Sequence, residues 1–341
     1  MQATRNVGAA VAVLLLTSGL AWAGSENRLG TSGAAELRLP VGARTVALAS
    51  SDLAMVGGAE ALYFNPAGIV NTTRKTDVLF SHTRYIGDMN INYVGIAQVM
   101  GGAGSIGVSA KVLSVGDIAF TSETAPDGDG STFSPTYATV GLTYGKQVTD
   151  RVNFGGTLTY ISEHVLQTTA AGVAFDFGFQ YDTGYRGMRL GVSMKSYGPN
   201  MAYGGSDFDF ITPVPGDEPG ASGRNVRQQA AAFELPASFQ MALGLPVVQG
   251  ANPVTLFGTY SSNSYGRDDG RIGAEWTLRK MLALRGGYHY NGDENDLFQW
   301  SYGVGVNVPV GASQLSVDYA GQPVNGGFFD DVQHLSVSLR F

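Results

Sequence analysis

From residue 77 to the C-terminus the chain alternates, with apolar side chains at every second position over stretches of about ten residues. The clearest run is Phe298, Trp300, Tyr302, Val304, Val306 and Val308, interleaved with Gln299, Ser301, Gly303, Gly305 and Asn307. Successive side chains of a strand point to opposite faces, so each run predicts one greasy face and one small or polar face. The pattern returns at Val152, Phe154, Leu158 and Tyr160, and again at Val173, Phe175, Phe177, Phe179 and Tyr181. It predicts strands near 77–86, 90–100, 104–116, 133–148, 151–165, 169–183 and 187–198. Further strands are expected near 234–247, 251–263, 268–279, 281–292, 297–309, 312–321 and 332–341. Several exceed the five or six residues usual in soluble sheets. A sandwich strand alternates in the same way with its apolar face inward, so no single run decides the fold.

Loop lengths separate the two architectures. With the N-terminus on the periplasmic side, the connections facing the periplasm are Gly101-Gly102-Ala103, Thr149-Asp150, Gly184-Tyr185-Arg186, Val248-Gln249-Gly250, Lys280 and Val310-Gly311. All are short. The long connections 117–132, 199–233 and 322–331 fall together on the opposite side. Short periplasmic turns with longer outer loops are the rule for outer-membrane barrels. The expected fold is therefore all-β: a transmembrane antiparallel β-barrel of about fourteen strands over residues 77–341. No later stretch has eighteen consecutive apolar residues, which argues against spanning helices. Outer-membrane lipid is then the expected surroundings, and the barrel-assembly machinery a partner during biogenesis. Leu335, Val337, Leu339 and the terminal Phe341 alternate with Ser336, Ser338 and Arg340. A terminal aromatic on the lipid face resembles the assembly signal of bacterial outer-membrane proteins.

Composition sharpens the picture. Charged residues are 14% of the chain, against roughly 25% in ordinary soluble domains. Glycine supplies 48 of 341 residues, about twice the usual share. There is no cysteine, hence neither a disulfide framework nor a lipoprotein attachment site. Arg5, the apolar stretch Val7 to Leu20 and the small-x-small Ala21-Trp22-Ala23 predict a cleavable signal peptide over 1–23, cut between Ala23 and Gly24. The expected location is the bacterial cell outer membrane, crossed many times. A net charge of −7 with no basic patch excludes nucleic acid as a partner.

Residues 24–76 do not alternate. A fourteen-strand ring has a lumen wider than side chains fill, and this Ala- and Gly-rich segment is expected to form a hatch inside it. A short helix is expected from Thr45 to Met55. Pro66 should stop any helix near Phe64, and Gly68 should permit a tight turn after it. The alternative is a periplasmic tail with a turn. The stretch from Pro40 to Gly68, PVGARTVALASSDLAMVGGAEALYFNPAG, resembles the N-terminal signature of the PorV/PorQ-type outer-membrane proteins. These stand within the wider group of FadL-like barrels that transport long-chain fatty acids. The likeness rests on those residues and on Phe341, and Leu48-Ala49-Ser50 stands where that family often has Met-Gly-Gly. The resemblance implies a fourteen-strand barrel with an internal N-terminal hatch containing Asn65, Pro66 and Ala67. It implies transport or binding of a hydrophobic small molecule. The alternative it implies is a non-transport role in type IX protein secretion, as anchor or shuttle for exported proteins, with secretion-system proteins as partners.

Chemical motifs are sparse. His82, His164, His289 and His334 are scattered over separate strands, and no nucleophile elbow, His-Glu-x-x-His helix or phosphate-binding loop occurs. Neither an enzyme nor a cofactor is expected. The acidic clusters Asp127-Gly128-Asp129-Gly130 and Asp293-Glu294-Asn295-Asp296 lack calcium-loop spacing and read as solvated outer loop, not metal sites. The connection 199–233 mixes Tyr203, Phe208, Phe210 and Ile211 with Pro213, Pro215 and Pro219. Connections beyond about fifteen residues are usually functional or disordered. Tyr203, Phe208, Phe210 and Ile211 are therefore the expected ligand contacts at the mouth, with Asn65, Pro66, Ala67 and Gly68 as a gate beneath. Inward positions such as Thr157, Asp176, Gln299 and Asn307 predict a polar, weakly charged interior and exclude an open general porin.

Overall fold

The computed structural model describes residues 28–212, 222–293 and 296–341; the expected cleavage position at Ala23 and Gly24 lies outside them. Fourteen strands form one closed antiparallel barrel. They are β1 (Thr76–Arg84), β2 (Asn90–Val99), β3 (Ser105–Ser114), β4 (Thr136–Thr149), β5 (Val152–Val165), β6 (Thr168–Asp182) and β7 (Arg189–Tyr197). After the longest connection follow β8 (Ser238–Val248), β9 (Val254–Asn263), β10 (Asp269–Leu278), β11 (Leu282–Tyr290), β12 (Trp300–Val310), β13 (Ser313–Gln322) and β14 (Val332–Arg340). Each pairs with its sequence neighbours, and β14 returns to β1 in a register running from Asp77↔Arg340 to Arg84↔Gln333. Phe341 and Thr76 exchange backbone hydrogen bonds of 2.9 and 3.0 Å beyond the end of that ladder. Closure gives every strand a neighbour on each side, although β6 runs past the end of β7, whose ladder covers only Phe175–Asp182.

The period-two pattern explains which side chains face where. Phe80, Leu142, Ile272 and Trp300 stand on the outer surface at 51, 58, 62 and 60% exposure. Ser81, Thr143, Ser193 and Ser301 point inward and are buried. An apolar girdle all round a molecule is far larger than the patches soluble monomers leave in water. One side chain departs from the pattern: β12 begins at Trp300, and Phe298, expected to continue its outer face, is half-buried and stacks on Tyr85 at 5.8 Å. The barrel has a turn pole, where the connections are short, and a loop pole, which carries 115–135, 198–237 and 323–331. Within the longest loop Asp209–Thr212 pairs with Arg224–Arg227 as a small ladder.

Residues 28–75 lie inside the ring, touching inward side chains on many strands. Gly42 N–H donates to Ser81 Oγ of β1 at 3.1 Å and Ala43 N–H to Ser336 Oγ of β14 at 2.7 Å. On the opposite wall Ser193 Oγ of β7 donates to Phe64 O at 3.3 Å, and Thr259 Oγ1 of β9 to Ser51 O at 2.9 Å. The segment contains two short helices, α1 (Ala43–Ala47) and α2 (Ala61–Phe64). The helix expected over Thr45 to Met55 stops after one turn because Ala49 and Ser50 are left-handed, with φ of 53° and 56°.

Glycines on the inner wall seat this hatch. A β-carbon on Gly155 would stand 2.3 Å from Pro66 O, and one on Gly178 2.0 Å from Asn65 Oδ1. Across the lumen, a β-carbon on Gly287 would stand 2.3 Å from the carbonyl carbon of Leu48. Hatch backbone meets wall backbone at Gly155 and Gly287, and the Asn65 amide fills the place of a side chain at Gly178, which only glycine allows.

Candidate functional site

Between the hatch and the loop pole lies a cavity of about 430 Å³. Its floor is hatch: Leu37, Leu39, Leu53, Tyr63 and Phe64 give an apolar surface. Its rim comes from the loops, with Tyr85, Pro236, Tyr265 and Phe298. The walls are charged. Arg271 Nε pairs with Asp269 Oδ1 at 2.7 Å on β10. His289 of β11 reaches Asp296 Oδ2 through Nδ1 at 2.8 Å and Asp269 Oδ1 through Nε2 at 3.6 Å. Arg38 stacks over the Tyr265 ring at 4.5 Å.

Lys195 is the distinctive wall residue. Across from Asp176 of β6, β7 places two residues between Met194 and Tyr197, a β-bulge that turns both Lys195 and Ser196 toward the lumen. Ser196 is left-handed, φ 56°, and its N–H donates to Asp176 Oδ1 at 2.6 Å. Among the described residues Lys195 Nζ has no carboxylate within salt-bridge distance; it sits over the Tyr63 ring at 3.7 Å and the Phe64 ring at 5.7 Å. Lys111 covers Tyr63 as well, at 4.6 Å, while its ammonium donates to Glu36 O and Leu39 O at 2.6 and 3.2 Å. A desolvated ammonium over an aromatic face is favourable, but it leaves two or three donors free for an anion.

The expected site residues lie elsewhere. Asn65 is fully buried: its Nδ2 donates to Leu53 O at 3.0 Å and Phe179 O at 3.2 Å, and its Oδ1 accepts Ala67 N–H at 3.2 Å. Pro66, Ala67 and Gly68 are buried with it against β4, β5 and β6, below the cavity and outside its lining. Tyr203 packs on Phe233 at 5.7 Å and donates to Glu163. Phe208, Phe210 and Ile211 belong to the small outer ladder and its leading turn; Ile211 is 75% exposed. The structure brings neither group to the cavity. It does bring Lys195, Arg271 and His289 there. Their signal was the alternation itself, since Gly191, Ser193 and Lys195 share one face of β7 and Asp269, Arg271, Gly273 and Glu275 one face of β10.

The interior also corrects the expectation of weak charge. Arg44 of α1 reaches Asp52 at 2.9 Å, Glu60 at 3.6 Å and Glu275 of β10 at 3.2 Å. Arg285 continues the chain to Glu275 and to Asp318 of β13, at 2.6 Å each. Two arginines and four carboxylates thus form one network that joins hatch to wall. Below them the lumen narrows to a separate cleft of about 60 Å³ at the turn pole, beside Asn71, Asn153 and Gln180. Gln180 Nε2 donates to Leu53 O and Val56 O at 3.1 and 2.9 Å, so the hatch stands between cleft and cavity.

Solved structures share this architecture. The toluene transporter TodX of Pseudomonas putida superposes with a TM-score of 0.58 at 12% identity, covering 88% of this chain and 97% of that one. The CymD monoaromatic hydrocarbon channel gives 0.54 at 12% identity over 88% and 97% of the two chains. A FadL homologue of Pseudomonas aeruginosa gives 0.52 at 12% identity over 88% and 98%. The likeness is one of fold. No protein-family model matches the chain, and no curated protein matches it.

Proposed function

We propose that this chain is an outer-membrane β-barrel that captures a hydrophobic small molecule at the loop pole and hands it past its hatch. The observation that carries the reading is the cavity, a lumenal space of about 430 Å³ with an apolar floor, an aromatic rim and an unpaired Lys195 ammonium in its wall. That combination suits an amphiphile, its tail on Leu37, Leu39 and Leu53 and its anionic head on Lys195. The ring is closed, as a lipid surrounding requires of a sheet, and the fold resembles that of TodX, a toluene transporter, and CymD, a monoaromatic hydrocarbon channel. Onward passage requires the hatch to yield, because cavity and turn-pole cleft are separated by it. The secretion role and the PorV/PorQ subtype rest on the resemblance over Pro40–Gly68 and at Phe341, and nothing in the fold adds to it.

The test uses the purified full chain in detergent with two probes, oleate and toluene. Saturable binding of either, abolished by Gln240→Trp, which fills the cavity, is the expected result. Absence of saturable binding up to the solubility limit of both probes, or binding indifferent to the filled cavity, removes the reading.

A further inference from the structure

The turn pole carries a charge opposite to that of the chain as a whole. Arg74 and Lys75 stand exposed before β1, and Lys146 and Arg151 flank the β4–β5 turn. Arg186 occupies the β6–β7 turn, held over the Tyr185 ring at 5.8 Å, and Arg279 and Lys280 form the β10–β11 turn. None of these makes an ion pair among the described residues. The local acids Asp182 and Asp77 are engaged by Arg189 and Arg340 at 3.8 and 3.3 Å, and exposed Asp150 in the β4–β5 turn offsets only one of the seven cations. The loop pole is the reverse, with Asp117, Glu123, Asp127, Asp129, Asp330 and Asp331 exposed on it. The net charge of −7 therefore conceals a basic collar at one end of an acidic molecule.

The collar borders the apolar girdle directly. Lys146 follows Leu142 and Tyr144 on the outer face of β4 and precedes exposed Val148, which places it at the girdle's margin, where a lysine stem can cover apolar surface with its ammonium in the headgroup layer. Tyr185, Val248 and Met281 stand exposed beside the other basic turns. In a bilayer that margin is the level of the phosphates. A macromolecule approaching along the barrel axis would meet the turns end-on and would not need a lysine directed sideways.

We propose that this collar binds the phosphate headgroups of anionic phospholipids in the leaflet at the turn pole. The proposal rests on the membrane reading above and adds to it a preferred lipid. Basic residues near such headgroups each strengthen association several-fold, and salt weakens it.

The experiment reconstitutes the full chain in phosphatidylcholine bilayers carrying trace spin-labelled phosphatidylglycerol or spin-labelled phosphatidylcholine, and compares the fractions immobilised at the protein. Phosphatidylglycerol should be favoured about fivefold at low salt, and hardly at all near 1 M salt, where the screening length is about 3 Å. The variant K146Q/R151Q/R186Q/K280Q should lose the preference while immobilising phosphatidylcholine normally, which shows the barrel intact. Equal association of the two lipids, or a preference that survives in the variant, overturns the proposal. Collar-dependent binding of acidic cell-wall fragments without lipid preference also overturns it, in favour of a wall contact. Failure to immobilise either lipid removes the membrane reading itself.

Discussion

The carbonyl oxygen of Pro66 occupies the space beside Gly155 where any side chain would begin, 2.3 Å from the ideal β-carbon position. Hatch and wall are thus fitted backbone to backbone, and the inward glycines of β4, β5 and β6 serve as a seat for Asn65 and Pro66.

Gly155→Ala should consequently destabilise the barrel by about 1–3 kcal/mol, the usual cost of overpacking a filled interior. Gly102→Ala, in a turn with nothing within 4 Å, should leave it unchanged. Thermal unfolding in detergent compares the two. Equal midpoints would mean that the hatch gives way freely at Pro66.

Arg44 faces three carboxylates, those of Asp52, Glu60 and Glu275. Arg44→Met leaves Asp52 and Glu60 without their cation in a mostly buried place while Glu275 keeps Arg285, and breaking one partner of such a set costs about 3–5 kcal/mol. The variant should expose the hatch to protease while the strand signal in circular dichroism persists. A hatch as resistant as the parent's would show that its anchorage lies in the glycine seat alone.

Lys195→Met keeps the side-chain length and removes the charge. Affinity for oleate should fall about tenfold, the scale of one hydrogen bond to a charged group, while toluene binding stays constant. A parallel loss of both probes would point to a collapsed cavity instead of a lost anion contact.

Stability should fall as pH rises through neutrality. Glu36 is buried beside Glu163, and burial first, then that neighbouring charge, push its carboxyl from 4.5 up to about 7. The folded state therefore holds the proton more tightly than the unfolded chain. The contribution is full below about 4.5 and lost as pH rises through about 7. Glu60, raised to about 7 by burial against the pull of Arg44, titrates in the same window. Unfolding midpoints measured from about pH 5 to about pH 8 should decline, and Glu36→Gln should flatten part of the slope. An unaltered slope in that variant would exclude Glu36 as a contributor.

The strands were legible because an apolar outer face imposes its demand at every second residue, as Trp300, Tyr302, Val304 and Val306 show along β12. Where the pattern runs past its strand it misleads: Phe298 keeps the period but falls in the preceding loop and turns to the cavity. The same alternation also carried Lys195 on an inward face with Gly191 and Ser193, and Arg271 on one with Asp269, Gly273 and Glu275. Arg44 could not be paired from sequence, since its partner Glu275 is 231 residues away. Nor could the short α1 be foreseen, because its end depends on left-handed Ala49 and Ser50 within a turn whose Leu48, Ala49 and Ser51 pack on Gly273 and Gly287. The prominence of Tyr203, Phe208, Phe210 and Ile211 followed from aromatic content in a long connection, which says nothing of where that connection folds.

The seam between the first and last strands joins Asp77 to Arg340, 263 residues apart. Bringing such distant stretches together is entropically slow work, and the hatch is spliced to the very residue where the circle begins. A stopper attached in this way stays tethered to the stave beside the seam, so the contact of Phe341 with Thr76 that locks the circle also fixes the point where the stopper leaves it.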